Sequence, residues 1–407
     1  HRPIPPCPPQ VPQEVVDDGR ADGDDRGGEV GQRGAVGERP DRGELHHDAE
    51  RADAWPALAG AALPTGALVA LLKALGSPGS VLAASRASIA AIAGADAAAR
   101  LAAPDAERTE ATRSWLADPA HRLLSWDDED YPRQLLELPD PPPALFALGR
   151  VELLARASIA IVGSRQATPQ GCEDAFAFAR TLAEAGLTVV SGLAQGIDAA
   201  AHRGALGTSA STIAVMGTGP DRVYPASQRD LAHAIAAQGC VVTQFPPGTP
   251  PLKANFPQRN RIISGLARGV LVVEAAPQSG SLITARLAVE QGRDVFAIPG
   301  SIHSPLSKGP HRLIRDGAKL VETAQDVLVE LGLSGTVGPR TVDPASPVEA
   351  DPVRVRLLEA MGRGPVDLDR LVGRTGLSAD AIAAALVHLE LDGKVAALPG
   401  GRWERRA

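Results

Sequence analysis

The sequence predicts an α/β fold with a parallel sheet at its core, on three observations. Short apolar runs alternate with stretches of helical spacing, the runs are apolar throughout, and nearly all of them end on small residues. Strands alternating with helices imply βαβ units and a parallel sheet. Continuous apolarity marks strands covered on both faces. Small residues after the strands line the carboxyl edge, where open α/β sheets take their ligands.

Residues 1–54 run through Pro, Gly, Arg and Asp with no hydrophobic periodicity. Such a segment cannot bury enough apolar surface to offset its ordering entropy, so it reads as a disordered or non-native extension. From residue 55 to 120, LVALLKALG and ASIAAIAG show helical spacing, with a break at Gly76-Ser77-Pro78-Gly79. A small helical, SAM-like domain is expected there, with packing as its role.

Residues 121–335 hold the sheet. A Pro-rich lead-in, SWDDEDYPRQLLELPDPPPALFALG, ends in a short apolar strand. SIAIV (158–162) then ends at Gly163-Ser164-Arg165, with a helix from about Gly171. LTVV (187–190) ends at Ser191-Gly192, and Gly196-Ile197-Asp198 opens the next helix. TIAVM (212–216) ends at Gly217-Thr218-Gly219. Residues 240–243, GVLVVE (269–274) and DVFAI (294–298) complete the series. The expected core is Rossmann-like.

Residues 336–351 form a polar, Pro-containing linker. Over 352–407, helices at about 353–361, 366–372 and 378–391 precede a hairpin, the pattern of a winged helix. The third helix, SADAIAAALVHLEL, has no Arg or Lys and would read a DNA groove poorly. Packing or protein contact suits it better, while Arg402, Arg405 and Arg406 leave the wing open to phosphate.

The 407 residues carry a formal charge of -7, which at first argues against nucleic acid. The distribution of that charge points the other way. Residues 1–55 hold thirteen acidic and seven basic residues, whereas Lys253 to Lys319 hold ten basic and four acidic. A local positive surface on a nearly neutral body is the consequence. The three cysteines form no CxxC pair, so reduced thiols are expected, with no metal and no cofactor. No stretch reaches the ~20 apolar residues of a spanning helix, and no secretory leader is visible. The expected location is cytoplasmic.

The stretch from Asn255 to Ala285 carries the functional signal. Arg259 and Arg261 flank Asn260, and guanidinium groups match phosphate oxygens in planar geometry. The turn Ser279-Gly280-Ser281 opens a helix, and exposed amides at a helix start attract phosphate. Arg165 lies at the first strand's carboxyl edge. Several arginines with amides between them suit a chain of phosphates better than one nucleotide. The bland reading is a salt-bridged arginine pair and an ordinary Ser N-cap. Phe256 could stack a base or simply fill the core.

Catalytic patterns are weaker. Asp198 and His202 sit one helical turn apart, a spacing that more often locks a helix than makes an acid/base pair. Glu274 could be catalytic or could accept hydrogen bonds from the Ser279–Ser281 turn. Gly217-Thr218-Gly219 lacks the third glycine of a dinucleotide fingerprint, and no P-loop exists. The reading is therefore a non-enzyme.

Taken together, IAIVGSR (159–165), SGLAQGIDAAAH (191–202), TIAVMGTGPDRVYP (212–225), FPQRNRIISGL (256–266), VVEA with SGSLITA (272–275 and 279–285) and GRDVFAIPG (292–300) resemble the DNA-processing protein A (DprA, or Smf) family. The resemblance implies a single-stranded-DNA-binding protein of natural transformation. It would protect incoming strands, help load the RecA recombinase and act as a homodimer. It also maps Arg165 and the Arg259-Asn260-Arg261 run to the DNA pocket. The full expected site is Gly163, Ser164, Arg165, Lys253, Arg259, Asn260, Arg261, Ser279, Gly280 and Ser281. Gln195 stands where the family usually has Arg, which removes one charge from the second turn. The rival reading is a Rossmann-like nucleotide-processing enzyme of the phosphoribohydrolase kind, with Glu274 or Asp198 as base. Against it, the chain has no Pro-Gly-Gly-x-Gly-Thr turn.

Overall fold

A computed structural model of the chain describes residues 54–333, 352–362 and 364–406. The extension expected over 1–54, but for its last residue, and the linker expected over 336–351 lie outside the described residues. These residues form two compact units, one of 54–63 with 70–113 and one of 64–69 with 114 onward.

Short helices make the first unit: α1 (residues 54–61), the latter part of α2 (Thr65–Leu75), α3 (Pro78–Ala83), α4 (Arg86–Ala93), α5 (Ala95–Ala102) and most of α6 (Ala106–Leu116). The break read at Gly76 to Gly79 has a local cause. Gly76 takes φ of 90°, Ser77 caps α3 by accepting from the Ser80 amide, and Pro78 fills the first turn. Ser85 caps α4 in the same way. Leu58, Leu71, Leu72, Val81 and Ile89 are buried.

The second unit is built on a nine-stranded sheet. Its strands are β1 (His121–Ser125), β2 (Ala144–Gly149), β3 (Ser158–Val162), β4 (Thr188–Ser191), β5 (Thr212–Val215), β6 (Cys240–Thr243), β7 (Gly269–Val272), β8 (Asp294–Ala297) and β9 (Lys319–Leu320). Their order is β1-β2-β6-β5-β4-β3-β7-β8-β9. From β3 to β9 all neighbours are parallel, and β5–β6 is parallel too. β1 and β2 run antiparallel to each other, and β2 runs antiparallel to β6. The lead-in ends in β2 as read, and the strand that was not expected is β1, which lies just before it.

Alternation along the strands builds a core on each face. Ala160 and Val162 of β3 face one cluster, with Ile262, Ile263 and Leu266 of α10 (Asn255–Leu266) and Ala285 and Ala288 of α11 (Gly280–Glu290). Ile159 and Ile161 face the other, with Phe178 and Leu182 of α7 (Pro169–Glu184) and Ile197 and Ala201 of α8 (Ile197–Ala205). A third cluster joins α9 (Arg229–Gln238) to β5 and β6 through Leu231, Ile235, Ala214 and Val241. Two helices, α12 (Lys308–Arg315) and α13 (Ala324–Glu330), follow β8 and β9.

The last segment is a winged helix: α14 (Pro352–Met361), β10 (Val366–Asp367), α15 (Leu368–Thr375), α16 (Ala379–Leu391), β11 (Val395–Leu398) and β12 (Arg402–Arg405). Val366 and Asp367, expected to open the second helix, instead pair with β12 as a strand. Asp367 then caps α15 by accepting from the Arg370 amide at 2.8 Å. α16 buries Ile382, Leu386 and Leu389, in keeping with a packing role.

Candidate nucleic-acid interface

From β3 the chain winds one way to β4, β5 and β6, then returns through α10 to β7 on the other side of β3. That reversal opens a crevice at the carboxyl ends of β3 and β7. A cavity of about 720 Å³ lies there, lined by the Gly163–Gln166 turn, Gln195, Asp198, Phe256, Arg259, Asn260 and the Ser279–Ser281 turn. Eight of the ten expected site residues meet in it. Lys253 and Arg261 do not line it.

Helix geometry explains the absence of Arg261. The basic run lies within α10, where two residues apart means about 200° of rotation, so Arg259 and Arg261 cannot face one ligand. Arg261 turns to the lead-in. Its Nη1 donates to the Asp140 carbonyl and its Nη2 donates to Gln244 Oε1 at 2.5 Å. Lys253 is exposed in the turn before α10.

Arg259 is the floor of the site. It is 5% exposed, and its guanidinium fills the space beside Gly192. Burial pulls its pKa down to about 10, with the Asp198 carboxylate opposing that fall and Arg165 adding to it. It therefore carries its charge at neutral pH, and among the described residues its buried Nε has no hydrogen-bond partner. Arg165 is exposed at the rim, its guanidinium carbon 5.6 Å from the centroid of Phe256.

The turns around these arginines are held from behind. Ser164 is buried, and its Oγ accepts from the Gln166 amide at 3.1 Å. Gly196, at φ of 74°, gives the next turn a left-handed conformation that L side chains rarely take. Glu274 just past β7 accepts from the Thr168 amide at 2.9 Å and from Thr168 Oγ1 at 2.7 Å. Thr168 is the N-cap of α7, so Glu274 secures the loop that carries Arg165. It does not bond the Ser279–Ser281 turn, the alternative read from sequence. Ser279 caps α11 itself, accepting from the Ser281 amide, while Asn260 Nδ2 donates to the Gly280 carbonyl at 3.4 Å.

Asp198 and His202 serve a structural purpose as well. The Asp198 carboxylate accepts from the Gly192 and Ala194 amides. His202 Nε2 accepts from the Leu193 amide, and its Nδ1 donates to Thr212 Oγ1, which itself donates to the Val189 carbonyl. Burial drives the imidazole pKa down to about 3, so the ring is neutral. Together they brace the turn after β4; they do not bond each other.

One residue escaped the sequence reading. Tyr224 is 47% exposed, and its ring centroid is 5.8 Å from that of Phe256. With Arg165, Gly192, Gln195 and Arg259 the two rings line a smaller lobe of about 90 Å³. A lone loop aromatic carries no periodic signal; only its rarity, as one of two tyrosines, could have marked it.

The fold and this crevice define a class: Rossmann-like proteins whose carboxyl edge is lined by arginines and turn amides. Comparison with known proteins narrows it. Residues 122–332 match the model of the DNA recombination-mediator protein A family, and residues 341–401 match the DprA winged helix domain. The chain is 43% identical over 303 residues to Protein Smf of Escherichia coli K12, covering 72% of this chain and 79% of that protein. It is 51% identical over 203 residues to DNA processing protein DprA of Streptococcus pneumoniae R6, covering 50% and 72% respectively. The crystal structure of DprA from Streptococcus pneumoniae superposes with a TM-score of 0.62 at 40% identity, over 69% of this chain and 97% of that one. The chain belongs to the DNA recombination-mediator protein A family.

Proposed function

We propose that the protein binds single-stranded DNA at the carboxyl edge of its sheet, protects incoming strands in natural transformation and helps load the RecA recombinase on them. The observation that carries this reading is the convergence of Arg165, Arg259 and the Gly163–Arg165 and Ser279–Ser281 turns on one cavity. A buried and an exposed guanidinium, with turn backbone beside them, suit successive phosphates, and Phe256 with Tyr224 offers a face for a base. Asn260 belongs to the same wall. Lys253 and Arg261 drop out of the proposed contact set. RecA contact, a homodimeric state, a cytoplasmic location and the division at residues 120 and 351 belong to this reading through the family.

The reading takes the protein as a binder and not an enzyme. Its rival needs a free carboxylate, yet Glu274 spends both oxygens on Thr168, and Asp198 spends Oδ2 on the Gly192 and Ala194 amides of the turn it braces. A gel shift comparing single-stranded with duplex DNA at two salt concentrations tests the proposal. Preference for the single strand that weakens steeply with salt supports it; equal or salt-independent binding defeats it. Release of free base from nucleoside monophosphates would favour the rival.

A further inference from the structure

We infer that the strand does not end at the sheet edge but runs on into a second cleft, between the core and the winged helix, where Arg370, Arg374 and Arg402 take its phosphates. This rests on the single-stranded-DNA reading above and extends it to a site on a different element.

The cleft has a volume of about 1040 Å³. Gln166 and Leu306 line both it and the first cavity, so the two meet immediately beyond Arg165. On the core side His303 contributes an imidazole, while the Thr168 hydroxyl, though it lines the cleft, is committed to Glu274 and the Gly171 amide. The three arginines come from the winged helix, against one lining carboxylate, Asp367. Each retains donors for a ligand. Arg370 has a side chain 70% exposed and only a 3.6 Å ion pair to Asp367, while Arg374 uses Nη1 on the Ala360 carbonyl. Arg402 is exposed at the start of β12.

The winged helix is seated against the core beside this cleft. Arg406 pairs with Glu173 of α7 at 3.2 Å, and Glu404 of β12 is buried at 4% exposure beside the Gln170 amide. Its contribution to binding is then delivered by the face holding α15 and the wing, and not by α16, which has no Arg or Lys. A groove that sets three guanidinium groups against one carboxylate, and that is continuous with a phosphate site, suits a flexible polyanion, its phosphates on the arginines and its bases against Leu306, Val366 and Leu398.

The test is fluorescence anisotropy on the full chain with oligothymidylates of about six and about twenty nucleotides, lengths that bracket a short single-strand site. The variant Arg370→Ala/Arg374→Ala/Arg402→Ala should bind the short strand as wild type does. It should bind the long strand roughly ten-fold more weakly, with a salt slope smaller by about 2, since each lost phosphate contact removes about 0.7. Lys394→Ala, a charge change at an exposed position of the same winged helix outside the cleft, should alter neither. Unchanged long-strand binding overturns the inference, as does an equal loss for both lengths. If wild type binds neither strand, the underlying DNA reading has failed instead. A wild type that binds both equally, with the variant matching it, sinks the second cleft alone.

Discussion

Arg259 occupies the space that Gly192 leaves empty: a Cβ built on Gly192 would stand 1.5 Å from the Arg259 Nη1. The buried charge at the floor of the crevice therefore depends on a missing side chain in the turn after β4. Gly192→Ala must displace the guanidinium. It should weaken single-strand binding about as much as Arg259→Ala, by roughly ten-fold at low salt, and each should lower the salt slope by about 0.7. Anisotropy titrations across salt check this. Full binding by Gly192→Ala would mean that Arg259 takes no phosphate.

Tyr224 and Phe256 should act on bases and not on phosphates. Tyr224→Ala should cost about 1–3 kcal/mol per stacked base, roughly five- to 150-fold in Kd, with the salt slope unchanged. Tyr224→Phe should restore binding. A loss equal for normal and abasic strands would refute stacking.

Acid should unfold the core through His202. Its folded pKa, about 3, is depressed below the ordinary 6.5, so the unfolded chain takes up a proton that the folded ring refuses. The associated stability is complete above pH 6.5 and is lost as pH falls toward 3. On the order of 5 kcal/mol is at stake. Urea melts of wild type and His202→Asn at pH 7.5 and 4.5 should show the wild type losing more than the variant over that interval.

Glu404 responds in the opposite sense. Burial, and then the nearby Glu274 charge, push its carboxyl from 4.5 up to about 7, with Asp174 and Glu173 adding and the Gln170 amide opposing. Its folded form holds the proton longer than the unfolded form does, so the stabilisation is complete below pH 4.5 and is lost as pH rises through 7. Arg406, bonded to Glu173, is the nearby cation. Glu404→Gln, which keeps the shape without the charge, should raise the Tm at pH 8 and leave it nearly unchanged at pH 5. Identical melting of the two proteins at both values would exclude a charged, buried Glu404.

The central strands were legible because β3 to β8 pair apolar runs with small residues at their ends. The edges were not. β1 begins with His121 and Arg122, and β9 is only two residues long, so neither shows a strand pattern. More consequential was α10. It opens on Asn-Phe-Pro with no side-chain cap, and its polar first turns hide its period. Without the helix, Arg259 and Arg261 look like one site; with it, one faces the crevice and the other ties down the Asp140 loop. The Glu274–Thr168 brace was illegible for another reason: its partners are 106 residues apart and meet only through β3–β7 pairing.

A guanidinium sunk beneath a turn has no freedom to swing outward and follow its target. Whatever engages Arg259 must curl down to it, and the stiffness of the visitor then becomes a criterion for entry. Duplex DNA stays straight over about 150 base pairs, whereas a lone strand folds at every sugar. Discrimination between the two can thus arise from depth alone, without a single contact to a base edge.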